Sequence, residues 1–162
     1  MSQSASTAPS TAQGYMPPSV TQFSVFLDNR VGKLLELLKL FDSHPSCQVC
    51  AFSVQEASDY AVVRMITNSA KCAREVLKNQ GLPFSETQLL VVEVVNGHTL
   101  SRLCLYLLGA ELNIHFAYPL MIKPNGTPTI AMAVDDLMLA GQILRKKEFC
   151  LLGEHDLPPP QK

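Results

Sequence analysis

Asp28-Asn29-Arg30-Val31-Gly32-Lys33-Leu34 is the stretch on which the reading of the fold turns. Ahead of it, Phe23-Ser24-Val25-Phe26-Leu27 alternates in the manner of a strand. Behind it, Leu34, Leu37, Leu38 and Phe41 fall at i, i+3, i+4 and i+7, the apolar stripe of an amphipathic helix, with Glu36, Lys39 and Asp42 off the stripe. The residues between are therefore a tight strand-to-helix turn. Gly32 lets the backbone approach whatever sits there, and the helix N-terminus offers unpaired N–H groups and the positive end of its dipole. A carboxylate is welcome at such a place. A plain turn with nothing bound would satisfy the same residues. What favours a site is that the chain builds the same unit twice.

Working outward, helix one is expected over 31–43 and is stopped by His44-Pro45-Ser46. A strand over 47–55, a hairpin turn over 56–59 and a partner strand over 60–67 follow. Asn68 or Ser69 caps a second helix running to about Asn79, with Ala73, Val76 and Leu77 facing inward and Gly81 as its stop. Residues 84–88 supply a short closing strand. The order then begins again. Leu89-Leu90-Val91-Val92-Glu93-Val94-Val95 is apolar enough for a central strand. Asn96-Gly97-His98-Thr99 is the turn; Leu100, Leu103, Cys104 and Leu107 are the next stripe, with Gly109 at the stop. A strand over 112–121, a Pro-Asn-Gly hairpin turn within 123–128 and a strand over 129–134 come next. Asp135 or Asp136 caps a helix carrying Ala140, Ile143 and Leu144, and Cys150-Leu151-Leu152 closes the unit.

Slid so that Leu34 meets Leu100, the halves keep Leu37 on Leu103, Leu38 on Cys104 and Phe41 on Leu107. One residue further on, Ala73 meets Ala140, Val76 meets Ile143 and Leu77 meets Leu144. The fold class is therefore α+β: a tandem repeat of two ferredoxin-like βαββαβ units, each an antiparallel sheet with its helices on one face. The divisions are a disordered tail over 1–20, units over 21–88 and 89–157, and a tail over 158–162. Units this small are marginal alone, and each leaves an open sheet edge, so the halves are expected to pair side by side and the chain to form a homodimer.

Composition narrows the function. The 162 residues are 47% hydrophobic and 17% charged, with a net charge of −1 and no basic block, so a nucleic-acid surface is not expected. No apolar run is long enough for a membrane span. The opening lacks the basic start and apolar core of a secretory signal, and the five cysteines are expected as reduced thiols in a cytoplasmic protein.

The doubled unit and the segment Val25-Phe26-Leu27-Asp28-Asn29-Arg30-Val31-Gly32-Lys33-Leu34 resemble a pair of ACT domains, small ligand-binding regulatory modules attached to many enzymes of amino-acid metabolism. Members typically read strand, polar turn with Pro-Gly, then Leu in the first helix turn. Here Val31 stands for the usual Pro, while Gly32 and Leu34 match. In the second half His98 takes the position of Gly32 and the glycine moves to Gly97, a departure from the family pattern. The resemblance covers about 21–157 and implies an amino acid as ligand, held between the first turn of one unit and the sheet edge of another. Gly32 and the N–H groups of Val31, Lys33 and Leu34 would hold its carboxylate, and Asp28 or Asn29 would accept from its ammonium. Asn113 and His115 would line its side chain, and Asn96, Gly97, His98 and Thr99 form the second candidate turn. Binding at an interface would favour one placement of the units, which a partner, a regulated enzyme or a regulator protein, would read.

Other signals count for less. Cys47 and Cys50 suggest a metal or redox pair, yet in a regular strand they point to opposite faces, so no metal is expected. His98 has no nearby carboxylate in sequence to orient it as a base, and no catalytic residue or cofactor is assigned. The competing reading is a ferredoxin-like protein-interaction scaffold with both turns empty.

Overall fold

The computed structural model describes residues 16–158. The first strand, β1 (Val20–Asp28), turns Phe23, Val25 and Leu27 to one face and Val20, Gln22 and Ser24 to the other. Helix α1 (Lys33–Asp42) starts later than the apolar periodicity suggests. The reason lies in Gly32, whose φ of +91° cannot continue a right-handed helix. Then come β2 (Val49–Glu56), β3 (Tyr60–Thr67) and α2 (Ala70–Asn79). Ser69, not Asn68, caps α2 by accepting the Cys72 N–H at 3.2 Å.

The expected closing strand and the strand expected to restart the order are one. β4 (Phe84–Glu93) runs unbroken from the first unit into the second. Its early residues pair antiparallel with β1, Phe84 opposite Val25 and Leu89 opposite Val20. Its later residues pair with β6, Leu90 opposite Met132. Beyond it lie α3 (Leu100–Gly109), β5 (Ile114–Pro119), β6 (Thr129–Val134), α4 (Leu137–Lys146) and the two-residue β7 (Leu151–Leu152), which pairs with β4. A 3-10 turn over Glu154–Asp156 ends the described order. Among the described residues the two βαββαβ units thus share one seven-stranded antiparallel sheet, ordered β2-β3-β1-β4-β6-β5 with β7 beside β4 outside that order, through a common strand.

That sheet is wrapped. Its end strands β2 and β5 touch, and the Met121 N–H donates to the Cys50 carbonyl at 2.8 Å. This bond explains why β5 stops at Pro119 instead of continuing to Met121: the chain leaves β6 for the opposite end strand. Helices cover the outer face in two clusters. In the first unit Leu37, Phe41, Ala73 and Leu77 pack on Phe23 and Met65. In the second, Leu103, Leu107, Ala140 and Leu144 pack on Leu90 and Met132. A third cluster fills the inner face with Val20, Ile66, Leu89, Val91, Tyr118 and Leu152 from both units. Each fully buried Leu or Phe contributes about 1.5–3 kcal/mol, and neither unit could supply the inner cluster alone.

Two further expectations need correction. Leu100 and Cys104 were expected on the buried stripe of α3, but both are exposed; only Leu103 and Leu107 face the sheet. Of the segment expected as a leading tail, Val20 is already strand and Pro17 is buried against Gly141 of α4. The rest of the expected tails, 1–15 and 159–162, lies outside the described residues.

Candidate functional site

β1 delivers Asp28 to the end of the sheet, and the chain then closes on itself. The Arg30 N–H donates to the Asp28 carbonyl at 2.8 Å, and the Lys33 N–H to the Arg30 carbonyl at 3.3 Å. Asn29 is anchored to the β2–β3 hairpin, its side-chain amide donating to Glu56 Oε2 at 2.8 Å and to the Ala57 carbonyl at 3.3 Å. Asp28 and Arg30 pair at 3.4 Å in solvent, and Val31 is fully exposed at the tip. Gly32 then opens α1 from a left-handed conformation that its lack of a Cβ permits.

The start of α1 differs from the other three α-helix starts among the described residues. Ser69 Oγ, Thr99 Oγ1 and Asp136 Oδ1 each accept an N–H of the helix they precede. Gly32 has no side chain to do so, and α1 carries no side-chain cap. Beside it lies a pocket of about 260 Å³ lined by Leu27, Lys33, Glu36, Leu37, Leu40, Gln80 and Leu82. Its polar lining includes one cation and one anion, for Lys33 Nζ and Glu36 Oε1 stand 3.4 Å apart. Leucines line most of the remainder. An uncapped helix start, a matched pair of charges and an apolar lining can together accept a small molecule carrying a carboxylate, an ammonium group and a short apolar side chain.

Of the residues singled out in sequence, Asp28, Asn29, Val31, Gly32, Lys33 and Leu34 come together in this turn. Glu36, Gln80 and Leu82 were missed. The signal for them was available: in a βαββαβ unit the second helix lies beside the first, and Gly81 marks where it ends. The second turn is built differently. Gly97, with φ of +84°, makes a tight link in which Val95 and His98 exchange backbone hydrogen bonds. Asn96 and Gly97 stand in solvent, Thr99 caps α3, and the His98 ring meets Phe149 edge-on at 4.8 Å. The N–H that Thr99 Oγ1 accepts is therefore already used within the chain.

Asn113 and His115 are both tied to Asp135. The Asn113 N–H donates to Asp135 Oδ2 at 2.8 Å, and His115 Nε2 lies 2.9 Å from Oδ1. Asp135 is thereby engaged at the start of β5, and the capping of α4 falls to Asp136. These contacts fix both residues within the second unit. As for the thiols, Cys47 lies ahead of β2 and packs under the helices, while Cys50, at a bulge between Val49 and Ala51, turns into the inner cluster, so the two thiols part for a reason other than regular strand alternation. Burial pushes the Cys50 thiol up to about 11. Among the described residues no three His, Cys, Asp or Glu side chains gather as a metal cage, and no helix is long and apolar enough to cross a membrane.

Comparison with known proteins agrees with this architecture. Among solved structures, protein BT0572 from Bacteroides thetaiotaomicron is 20% identical, covers 86% of this chain and 96% of its own, and superposes with a TM-score of 0.75. The ligand-free regulatory subunit of aspartate kinase from Thermus thermophilus is 7% identical, with 81% and 93% covered and a TM-score of 0.53. At such identities the likeness is one of fold. No curated protein matches the chain by sequence. The family profile of the ACT domain pair matches residues 18–154, from just ahead of β1 to the first residue of the final 3-10 turn. With that match spanning both units, the chain belongs to the ACT domain pairs, a family of regulatory modules.

Proposed function

We propose that this ACT domain pair binds an amino acid at the 28–34 turn and passes the bound state to a partner protein. The observation that carries the proposal is the start of α1, uncapped and opening beside a 260 Å³ pocket with one positive and one negative side chain. The N–H groups of Val31 and Leu34 hold the carboxylate, joined by that of Lys33 when it gives up its bond to the Arg30 carbonyl, and supported by the helix dipole and the Lys33 ammonium. Asp28, Asn29 or Glu36 accepts from the α-ammonium, and the leucines receive the side chain. The pocket size suits a single amino acid; larger ligands such as nucleotides generally need more room. The second turn, whose α3 start Thr99 already caps, is the weaker of the two sites. Asn113 and His115 come into play where a second unit or a second copy meets the first turn in a homodimer. No cofactor, nucleic acid or membrane enters this function, which we place in the cytoplasm, with a regulated enzyme or regulator protein as the reader.

One feature favours a second reading, a protein-interaction scaffold without a small ligand. Leu105 and Leu108 stand 61% and 69% exposed on α3, where the first unit carries Lys39 and Asp42 at the matching helix positions. A groove of about 500 Å³ lies beside them, with Ser101, Cys104 and Leu112 among its lining.

A thermal-shift screen against the common amino acids separates the two. Ligand at 100 times its dissociation constant stabilises by about 2.7 kcal/mol, a shift of several degrees for a chain this size. A selective shift that disappears in Gly32→Trp, while far-ultraviolet circular dichroism is unchanged, is the expected result. A flat response to every amino acid would leave the scaffold as the better account.

A further inference from the structure

The inner face of the first unit's strands holds a set of hydrogen-bond donors without acceptors among the described residues. Arg64 of β3 lies directly opposite Ser24 of β1 on one side and Ser53 of β2 on the other. Ser24 in turn lies opposite Ser85 of β4, so one row across four strands reads Ser85, Ser24, Arg64, Ser53. Directly opposed residues share a face and bring their Cβ atoms to within about 5.5 Å. The face is the helix-free one, since Phe23, Val25, Val63 and Met65 on either side point into the helix cluster.

Across the fold β5 closes over this row. The Arg64 guanidinium carbon sits 4.1 Å from the centre of the Phe116 ring. Stacking on a ring face leaves the rim of the guanidinium, with its five N–H donors, open. Tyr118, next but one along β5, begins a directed chain. Its O–H donates to Gln22 Oε1 at 2.6 Å, and Gln22 Nε2 donates to Ser24 Oγ at 3.2 Å. The two lengths fix the direction: the shorter suits O–H to O, the longer N–H to O. Gln22 is buried at 1% exposure, which holds its amide in that orientation. Burial raises the Tyr118 phenol well above its ordinary value, so it stays a donor. Ser24 therefore already accepts, and its own proton is left to donate. Among the described residues neither that proton nor the Arg64 guanidinium meets an acceptor, and Arg64 has no carboxylate partner. Arg64, Ser24 and Ser53 are each partly exposed, so solvent reaches them.

We propose that this inner-face row is a second binding site, centred on Arg64 and Ser24, that takes a small oxyanion: a single carboxylate or phosphate group. One guanidinium offers a two-pronged grip on one such group, and the serine hydroxyls complete its hydrogen bonds. With a single cation the site matches one anionic group and not a polyanion. It lies between the two units, on the face opposite the 28–34 turn, and does not depend on amino-acid binding there. The donors all belong to the first unit, and the second unit contributes Phe116, stacked on Arg64, and Tyr118, bonded to Gln22.

The test is a proton–nitrogen NMR titration of the full chain with sodium phosphate and, separately, sodium acetate, at constant ionic strength set by sodium chloride. Saturable shifts around residues 24, 53, 64 and 85 with one of these anions are expected. Phosphate alone acting would identify the class as a phosphate group, acetate alone as a carboxylate. Arg64→Met keeps an apolar stem against Phe116 and should weaken binding about tenfold or more, Ser24→Ala about fivefold. Where Arg64→Met fails to fold, Arg64→Lys keeps the charge, loses the two-pronged grip and should still weaken binding several-fold. Gly32→Trp should leave the response intact. Neither anion acting beyond chloride, shifts mapping to α1 instead, or full binding by a folded Arg64 variant would each overturn the proposal.

Discussion

Gly141 occupies the middle of α4, where a helix gains about 1 kcal/mol from alanine over glycine. The position is not available to alanine. A Cβ placed there would lie 2.4 Å from Pro17 Cβ and 2.7 Å from Pro17 Cγ, far inside contact distance. The proline ring ahead of β1 is thus seated on the second unit's helix through a gap that only glycine leaves. Gly141→Ala is expected to lower stability by about 1–3 kcal/mol, the usual penalty of overpacking, despite the better helix propensity. Denaturant midpoints would check it, and Gly141→Ala combined with Pro17→Ala should recover much of the loss. A midpoint unchanged or raised in the single variant would remove Pro17 from the packing. Neither residue could be read in advance, because a glycine in a helix and a proline in a Ser/Thr-rich lead each look ordinary until the chain brings them together. Gly32 is the opposite case. Its meaning is local, a turn between a strand and a helix, and so it was legible.

Elements were legible wherever a stripe or a cap is local. Among the described residues, α2 and α4 fall where the apolar spacing puts them, α1 begins only after Gly32 and α3 buries half of its expected stripe, and Ser69 and Asp136 are among the caps that composition offered. What escaped was how elements are tied across the fold. Arg74 of α2 grips Glu86 of β4 with two hydrogen bonds, Nε to Oε2 at 2.6 Å and Nη2 to Oε1 at 2.8 Å. Nothing in either segment's pattern announces it. The Arg74 hydrogen bond, with help from the charges of Arg74 and Lys78 and against a desolvation cost, holds the Glu86 carboxyl below its ordinary 4.5. A carboxyl depressed in the folded state adds stability above its unfolded value and loses it as pH falls through the folded one. Glu86→Gln should therefore be less stable than the natural chain at neutral pH. The gap should narrow below about 4.5 and close at lower pH still. Paired denaturant melts across that range would measure it, and a gap that stays constant into acid would mean the contact acts through packing alone.

At the scale of the molecule, the repeat was legible from two helical stripes kept in phase, but the sharing of a strand was not. Period and spacing specify a unit; they carry no information on how far a sheet coils once two units are joined. The coiling brings Cys50 and Met121, at opposite ends of the strand order, within one hydrogen bond. It also creates the inner cluster, where Leu89 and Val91 of β4 meet Val20 and Ile66 from one unit and Tyr118 and Leu152 from the other. Units of this size bury too little surface to be robust alone, so the shared cluster should make the pair unfold as one. Hydrogen exchange under native conditions tests this. The slowest amides of β3 and of β6 should open with the same free energy. Leu89→Ala, which empties part of the shared cluster, should lower both by an equal amount of about 2–5 kcal/mol. If the β6 amides lose protection while those of β3 keep theirs, the units fold separately. A ligand held by the first unit would then have no route through the core to the second.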